Sequence, residues 1–232
     1  MVSIRSILVI TSAFAAVMAA PTILSDVASS TWELSCPASG GGPGTLPPYN
    51  PGNYVVQCSE PGGSLNITNS AGSSIAVSWD MANMLVGKGW SVGGSRSITY
   101  SGTYEPSGNS WIGVFGWTRN PLAEYFIVDN FGTRLHYNPA AAGRLVGNIT
   151  TDGGLYMIYR ELMYNAPSID GIQTYQRYWS VRVTRRVGGT ITTQNHFNAW
   201  QSNGLFLGNH NWQIVGVRAF YSRGRAEFYV VS

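Results

Sequence analysis

Charge is scarce in this 232-residue chain: 11% of residues are Asp, Glu, Lys or Arg, against about 25% in an average soluble protein. Lys88 is the sole lysine, and the arginines form no cluster denser than Arg185–Arg186. The basic stripe of a nucleic-acid-binding surface is therefore missing, and the formal net charge is only +3. The histidines His136, His196 and His210 are dispersed and share no ligand spacing with the two cysteines, so no metal site is expected. The Gly-rich runs lack a strand–loop–helix setting and the partner lysine of a phosphate loop. No cofactor is expected. The 28 glycines have no three-residue period, which excludes collagen.

What is abundant is aromatic and apolar: 12% Phe, Trp and Tyr within 44% hydrophobic residues. Such a composition excludes a disordered chain, and the length suits one domain with ample core. Residues 1–20, MVSIRSILVITSAFAAVMAA, place one basic residue before an apolar run that ends in small residues. That pattern reads as a secretory signal peptide, and the run is shorter than the roughly 20 residues of a membrane span. The expectation is a secreted, extracellular, monomeric protein with neither membrane nor nucleic-acid partner. Cys36 and Cys58 suit an oxidising compartment and are candidates for one disulfide. Asn66 and Asn148 open N-x-T sequons and are candidate glycosylation sites, as in a glycoprotein.

The Gly/Pro-rich stretch 38–53 reads as a linker or ordered coil closing an N-terminal extension, 21–53. From Tyr54 to residue 232 the chain reads as one all-β domain. Short alternating segments are expected at 54–58, 64–69, 74–79, 98–104, 111–118, 122–131, 145–150, 155–162, 173–183, 188–194, 211–221 and 225–231. Many short strands at regular spacing mean a sandwich or a barrel-like sheet. One segment, 195–208, breaks the period: Phe197, Trp200, Gly204 and Leu205 recur at helical spacing.

Alternation assigns faces. In 121–132, Glu124, Phe126 and Val128 share one side, and Tyr125, Ile127 and Asp129 the other. A carboxylate between aromatics in mid-strand is costly unless it is paired or solvated in a cleft. The preceding strand places Phe115, Trp117 and Arg119 on one face, and the short turn makes the two strands neighbours. Glu124 thus qualifies as a functional carboxylate, beside the plainer reading of a salt-bridged strand residue.

Seven stretches in order, LVGKGW (85–90), GWTRNPLAEY (116–125), NFGT (130–133), YNAPSIDG (164–171), YWSVR (178–182), HFNAW (196–200) and WQIV (212–215), resemble the family-11 glycoside hydrolases, which are endo-β-1,4-xylanases. The resemblance implies a jelly roll of two curved antiparallel sheets with a single α-helix. It also implies a sugar cleft for xylan or a related β-1,4-linked polysaccharide, with YNAPSIDG as a mobile thumb. Chemistry in that family is retaining, with a nucleophile and an acid/base carboxylate about 5–5.5 Å apart. Glu124 takes the nucleophile position, and Asn83 matches an asparagine beside the acid/base. The resemblance assigns Trp117, Arg119, Phe115, Phe126, Pro167, Ser168, Ile169, Arg177, Tyr178, Trp212 and Phe220 to the substrate-binding cleft.

The acid/base position departs from the pattern. The segment after WQIV reads GVRAFYSRG, so the glutamate's place falls to Arg218. Glu227 lies at an odd offset from Arg218 and is expected to face away in a regular strand. Arginine cannot serve as a general acid near neutral pH, and Arg218 is expected to pair with Glu124. Phe115 and Phe126 stand where the family has tyrosines, Met163 where it has arginine, Arg177 where it has glutamine, and Cys58 where a tryptophan often stacks. The expectation is a xylanase-like pseudoenzyme that binds xylan or a partner such as a xylanase-inhibitor or host protein. The alternatives are an active retaining xylanase with an unrecognised proton donor, and a binding module whose Arg119, Arg177 and Arg218 attract acidic xylan.

Overall fold

A computed structural model describes residues 54–68, 72–133 and 144–231. The expected signal peptide, the extension with Cys36, and His136 lie outside the described residues, so the Cys36–Cys58 pairing does as well. The elements run β1 Tyr54–Ser59, β2 Ser64–Thr68, β3 Ser74–Trp90, β4 Ser97–Ser107, β5 Ser110–Arg119, β6 Ala123–Phe131, β7 Leu145–Thr151, β8 Gly154–Ser168, β9 Gly171–Arg182, β10 Gly189–Thr192, α1 Thr193–Ser202 and β11 Asn209–Val231. The segments expected at 211–221 and 225–231 form one 23-residue strand. The segment expected at 74–79 extends to Trp90.

Those two long strands organise the fold. The first half of β11 pairs with β5 and with the second half of β3, and its second half pairs with β4 and the first half of β3. One layer therefore runs β1-β3-β11-β5-β6-β9-β8-β7, and the other is completed by β2, β4 and β10. The register of β11 on β3 shifts between Ala219 and Ser222, and a bulge of this kind bends a strand and raises its local twist. Pairing is antiparallel except between β6 and β9, which run parallel, so the expected all-antiparallel sheets hold at every described pair but one. Gly113 shows why residues without a side chain recur: a Cβ there would run into the Ile127 carbonyl of the neighbouring strand.

Alternation then separates two apolar clusters. Ile112, Val114, Tyr125, Ile127, Val215 and Val217 pack with Ile75, Val77, Phe228 and Val230 of the other layer. Trp111, Phe115, Trp117, Phe126, Trp179, Trp212 and Phe220 cluster on the opposite face of the large layer. Helix α1 buries Thr193, His196, Phe197 and Trp200, and the Trp200 indole donates to Ser180 Oγ at 3.0 Å. The helix is shorter than the expected 195–208 because Gly204 adopts φ +74°, a left-handed exit that closes helices. Leu205 N–H still bonds the Trp200 carbonyl at 2.9 Å.

Asp129, fully buried on the interlayer side, shows how a lone core carboxylate is satisfied. It accepts from the Tyr156 hydroxyl at 2.6 Å, the Tyr100 hydroxyl at 3.1 Å and Arg186 Nε at 2.8 Å. It faces opposite to Glu124, in line with the alternation.

Candidate functional site

The aromatic cluster is a floor built by strand alternation. Phe126 stacks on Trp179 with ring centroids 4.1 Å apart, and Phe115 meets Phe126 edge-on at 5.3 Å. Trp111 stacks on Phe220 at 5.3 Å, and Trp117 lies 4.9 Å from Tyr175. Phe115 and Trp212 are 1% exposed, so they back this floor rather than offer open rings. Met163 is buried in the same cluster, and Cys58 is partly buried against it. Trp111, Tyr175 and Trp179 join the face although sequence reasoning did not single them out.

Tyr178 does not belong to it. Its neighbours Arg177 and Trp179 alternate with it along β9, so Tyr178 points to the interlayer core. There it packs 6.2 Å from Trp200 and donates to the Phe206 carbonyl at 3.2 Å. Its assignment to the sugar cleft is corrected on that ground: a period of two cannot place adjacent residues on one face.

Glu124 projects from β6 into this floor, its side chain 14% exposed. β6 and β9 align Glu124 directly with Arg177, whose Nε donates to Glu124 Oε2 at 2.6 Å. Arg177 is 3% exposed and its Nη2 donates to the Tyr175 hydroxyl at 3.3 Å. Its guanidinium lies 5.6 Å from the Phe126 ring centroid. A charge-assisted bond in such surroundings is among the stronger polar contacts a protein makes.

Arg218 projects from β11 on the same face. Its Nη1 donates to Asn83 Oδ1, to the Met84 carbonyl at 3.1 Å and to the Ala219 carbonyl at 3.0 Å. The guanidinium carbon sits 3.8 Å over the Phe220 ring. Tyr221, at the register shift with φ +42°, donates to Glu60 Oε2 at 2.7 Å. That bond to a carboxylate pushes the Tyr221 hydroxyl above its ordinary pKa.

The 164–171 hairpin is fastened at its tip. Arg119 Nε donates to Asp170 Oδ1 at 2.8 Å and Oδ2 at 3.0 Å, and its Nη2 to Oδ1 at 2.6 Å. The Asp170 bond raises the Arg119 pKa further. Ser168 Oγ donates to the Gly171 carbonyl at 2.7 Å, and the Tyr175 hydroxyl to the Pro167 carbonyl at 2.9 Å. Ile169 packs at the edge of the aromatic cluster.

One carboxylate that sequence reasoning missed also faces this floor. Glu161 sits between buried Tyr159 and Met163 in β8, so the alternation that singles out Glu124 applies to it equally. It is 4% exposed and accepts from Arg144 Nη1 at 2.7 Å. Glu227 is exposed and lines an outer groove with Asn66, Thr103, Glu105 and Arg225. Asn66 and Asn148 are exposed on β2 and β7. Among the described residues no His, Cys, Asp and Glu group has the makings of a metal site, and no helix is long and apolar enough to cross a membrane.

The profile of glycosyl hydrolases family 11 matches residues 50–229. Ethylene-inducing xylanase 3 of Verticillium longisporum is 43% identical over 231 residues, 99% of this chain and 76% of that protein. Endo-1,4-beta-xylanase 2 of Humicola insolens is 40% identical over 231 residues, 99% of both chains. A solved endo-1,4-beta-xylanase from Trichoderma reesei superposes with a TM-score of 0.72 at 35% identity, covering 78% of this chain and 98% of that one. With two bent layers and one helix among the described residues, and a carboxylate set in an aromatic floor, the chain belongs to glycosyl hydrolase family 11.

Proposed function

We propose that this chain is a secreted, xylan-directed member of its family in which hydrolysis is lost or strongly impaired. The observation that carries this reading is the pairing on the aromatic floor: Arg177 occupies Glu124 at 2.6 Å, while Arg218 holds the acid/base position implied by the alignment of its segment. Glu124 supplies the nucleophile. Its attack on the anomeric carbon begins by breaking the ion pair with Arg177, and no carboxylic acid at residue 218 protonates the leaving sugar oxygen. Loss of general acid/base help costs typically 10²–10⁴-fold, and a sugar alkoxide, a poor leaving group, needs that help most. The aromatic floor and the hairpin fastened by Arg119 and Asp170 supply the grip on xylan.

An active retaining xylanase would need another proton donor. Glu161 faces the floor but is engaged by Arg144, and Glu60 is engaged by Tyr221. A cationic cleft for acidic xylan is less well supported, because Arg119 and Arg177 are matched by Asp170 and Glu124. The deciding measurement is reducing-sugar release from xylan by the parent, Arg218→Glu and Glu124→Gln chains. An inert parent and an Arg218→Glu variant that gains activity are expected. Robust turnover by the parent, abolished in Glu124→Gln, would sink the reading.

A further inference from the structure

Register sets Glu124, Arg177 and Glu161 side by side on β6, β9 and β8. With Arg144 donating to Glu161, charges of alternating sign cross the floor in one line. Arg177 is held unequally by its two carboxylates: Nε is 2.6 Å from Glu124 Oε2, and Nη1 is 3.7 Å from Glu161 Oε2. That Glu161 oxygen is buried and makes no hydrogen bond among the described residues. An unsatisfied buried acceptor is costly. A guanidinium displacement of about 1 Å would bring Nη1 into ordinary hydrogen-bond range of it.

We propose that Glu161 is a positioning residue for Glu124, acting as the second seat of Arg177. It receives the guanidinium when a sugar engages the nucleophile. The proposal rests on the reading of Glu124 as nucleophile and not on the loss of the acid/base. As a Glu124 oxygen bonds to the anomeric carbon, the bond to the leaving oxygen breaks and that oxygen departs with the electron pair. Glu124, now an ester, has lost its negative charge, and the nearer of the two carboxylates beside Arg177 no longer balances it. A buried guanidinium whose nearest charge is neutralised is strongly unfavourable, and Glu161 is the carboxylate already beside it. Without this seat, Arg177 stays on Glu124 and opposes the attack.

A 2-deoxy-2-fluoro-xylobioside of 2,4-dinitrophenol tests this, because the phenolate leaves without a proton and the label accumulates on Glu124. Glu161→Gln should slow labelling at saturating probe by about tenfold with half-saturation unchanged, the signature of a group acting in the transition state. Adding Glu161→Gln to Arg177→Gln should change nothing, since the effect travels through Arg177. The structure of the labelled parent should show Arg177 Nη1 within about 3 Å of Glu161 Oε2. Labelling of Glu161→Gln at the parent rate, or an unmoved Arg177 in the labelled structure, overturns the second seat. So does labelling confined to chains that lack Arg177, which means that the pair never opens in the parent. No labelling in any chain removes Glu124 as nucleophile, and the seat with it. Xylan turnover by the parent would end the impaired-hydrolysis reading and leave the labelling comparison intact.

Discussion

Glu124 and Arg177 face each other across the one parallel pair among the described strands, joined at 2.6 Å on side chains 14% and 3% exposed. Removing the guanidinium takes away the 2.6 Å contact of Glu124 and the cation beside Glu161 Oε2, two carboxylates on one buried face. Arg177→Met should therefore destabilise the fold by about 3–5 kcal/mol at neutral pH, the usual cost of breaking a buried pair. Adding Glu161→Gln should recover part of that loss. Urea unfolding of the single and double variants decides it, and equal stabilities for the two would contradict the shared-cation geometry.

Burial pushes the His196 imidazole down to about 4, and in the unfolded chain it takes up a proton near 6.5. Between those values the unfolded state binds more protons. The contribution of neutral His196 is therefore full above about pH 6.5 and is lost as pH falls towards 4, on the order of 3 kcal/mol in all. Melting curves at pH 7 and pH 4.5 should converge for parent and His196→Gln as the acid side is approached. Parallel losses in both chains would show that His196 is not the group responsible.

Arg119 and Asp170 fasten the hairpin tip with side chains that are each 39% exposed. Exposed pairs contribute about 0–1 kcal/mol, so Asp170→Asn should barely move the melting temperature. Its effect should appear locally, as faster protease cleavage between residues 164 and 172 and a weaker grip on xylo-oligosaccharides. Unchanged cleavage would mean that the turn bonds of Ser168 and Tyr175 hold the hairpin alone.

Tyr178 and Trp117 lie on opposite faces of the same layer. Tyr178→Phe should leave xylan affinity untouched and cost about 1 kcal/mol through its lost bond to the Phe206 carbonyl. Trp117→Ala should weaken binding of xylohexaose measured by calorimetry. A Tyr178→Phe chain that binds more weakly would return Tyr178 to the sugar side.

The alternation that singles out Glu124 in β6 was readable from sequence because this carboxylate shares its face with Phe126 two residues on, and with Trp117 of the strand before. The same pattern places Glu161 between Tyr159 and Met163, and it assigns Tyr178 to the face opposite Arg177. The sequence points to Arg218 as the partner of Glu124, whereas the 2.6 Å bond comes from Arg177. The short turn makes β5 one neighbour of β6, but the other is set by the parallel docking of β9, a long-range pairing with no local signature. Parity also failed along β11, where the register shift between Ala219 and Ser222 moves the buried positions from odd numbers, Val217 and Ala219, to even ones, Ala226 and Phe228. The odd offset of Glu227 from Arg218 therefore says nothing about its direction; its place in the outer groove does. The turn residues near Arg223 suggested a break, but the bulge absorbs the bend and the strand continues.

Because β3 and β11 run through both layers, the described strands have no seam between them. Neither layer can detach without taking two strands from the other, so amide protons on both should exchange with one common opening energy. Damage to the outer groove would then be felt as readily at Arg218 as damage beside it.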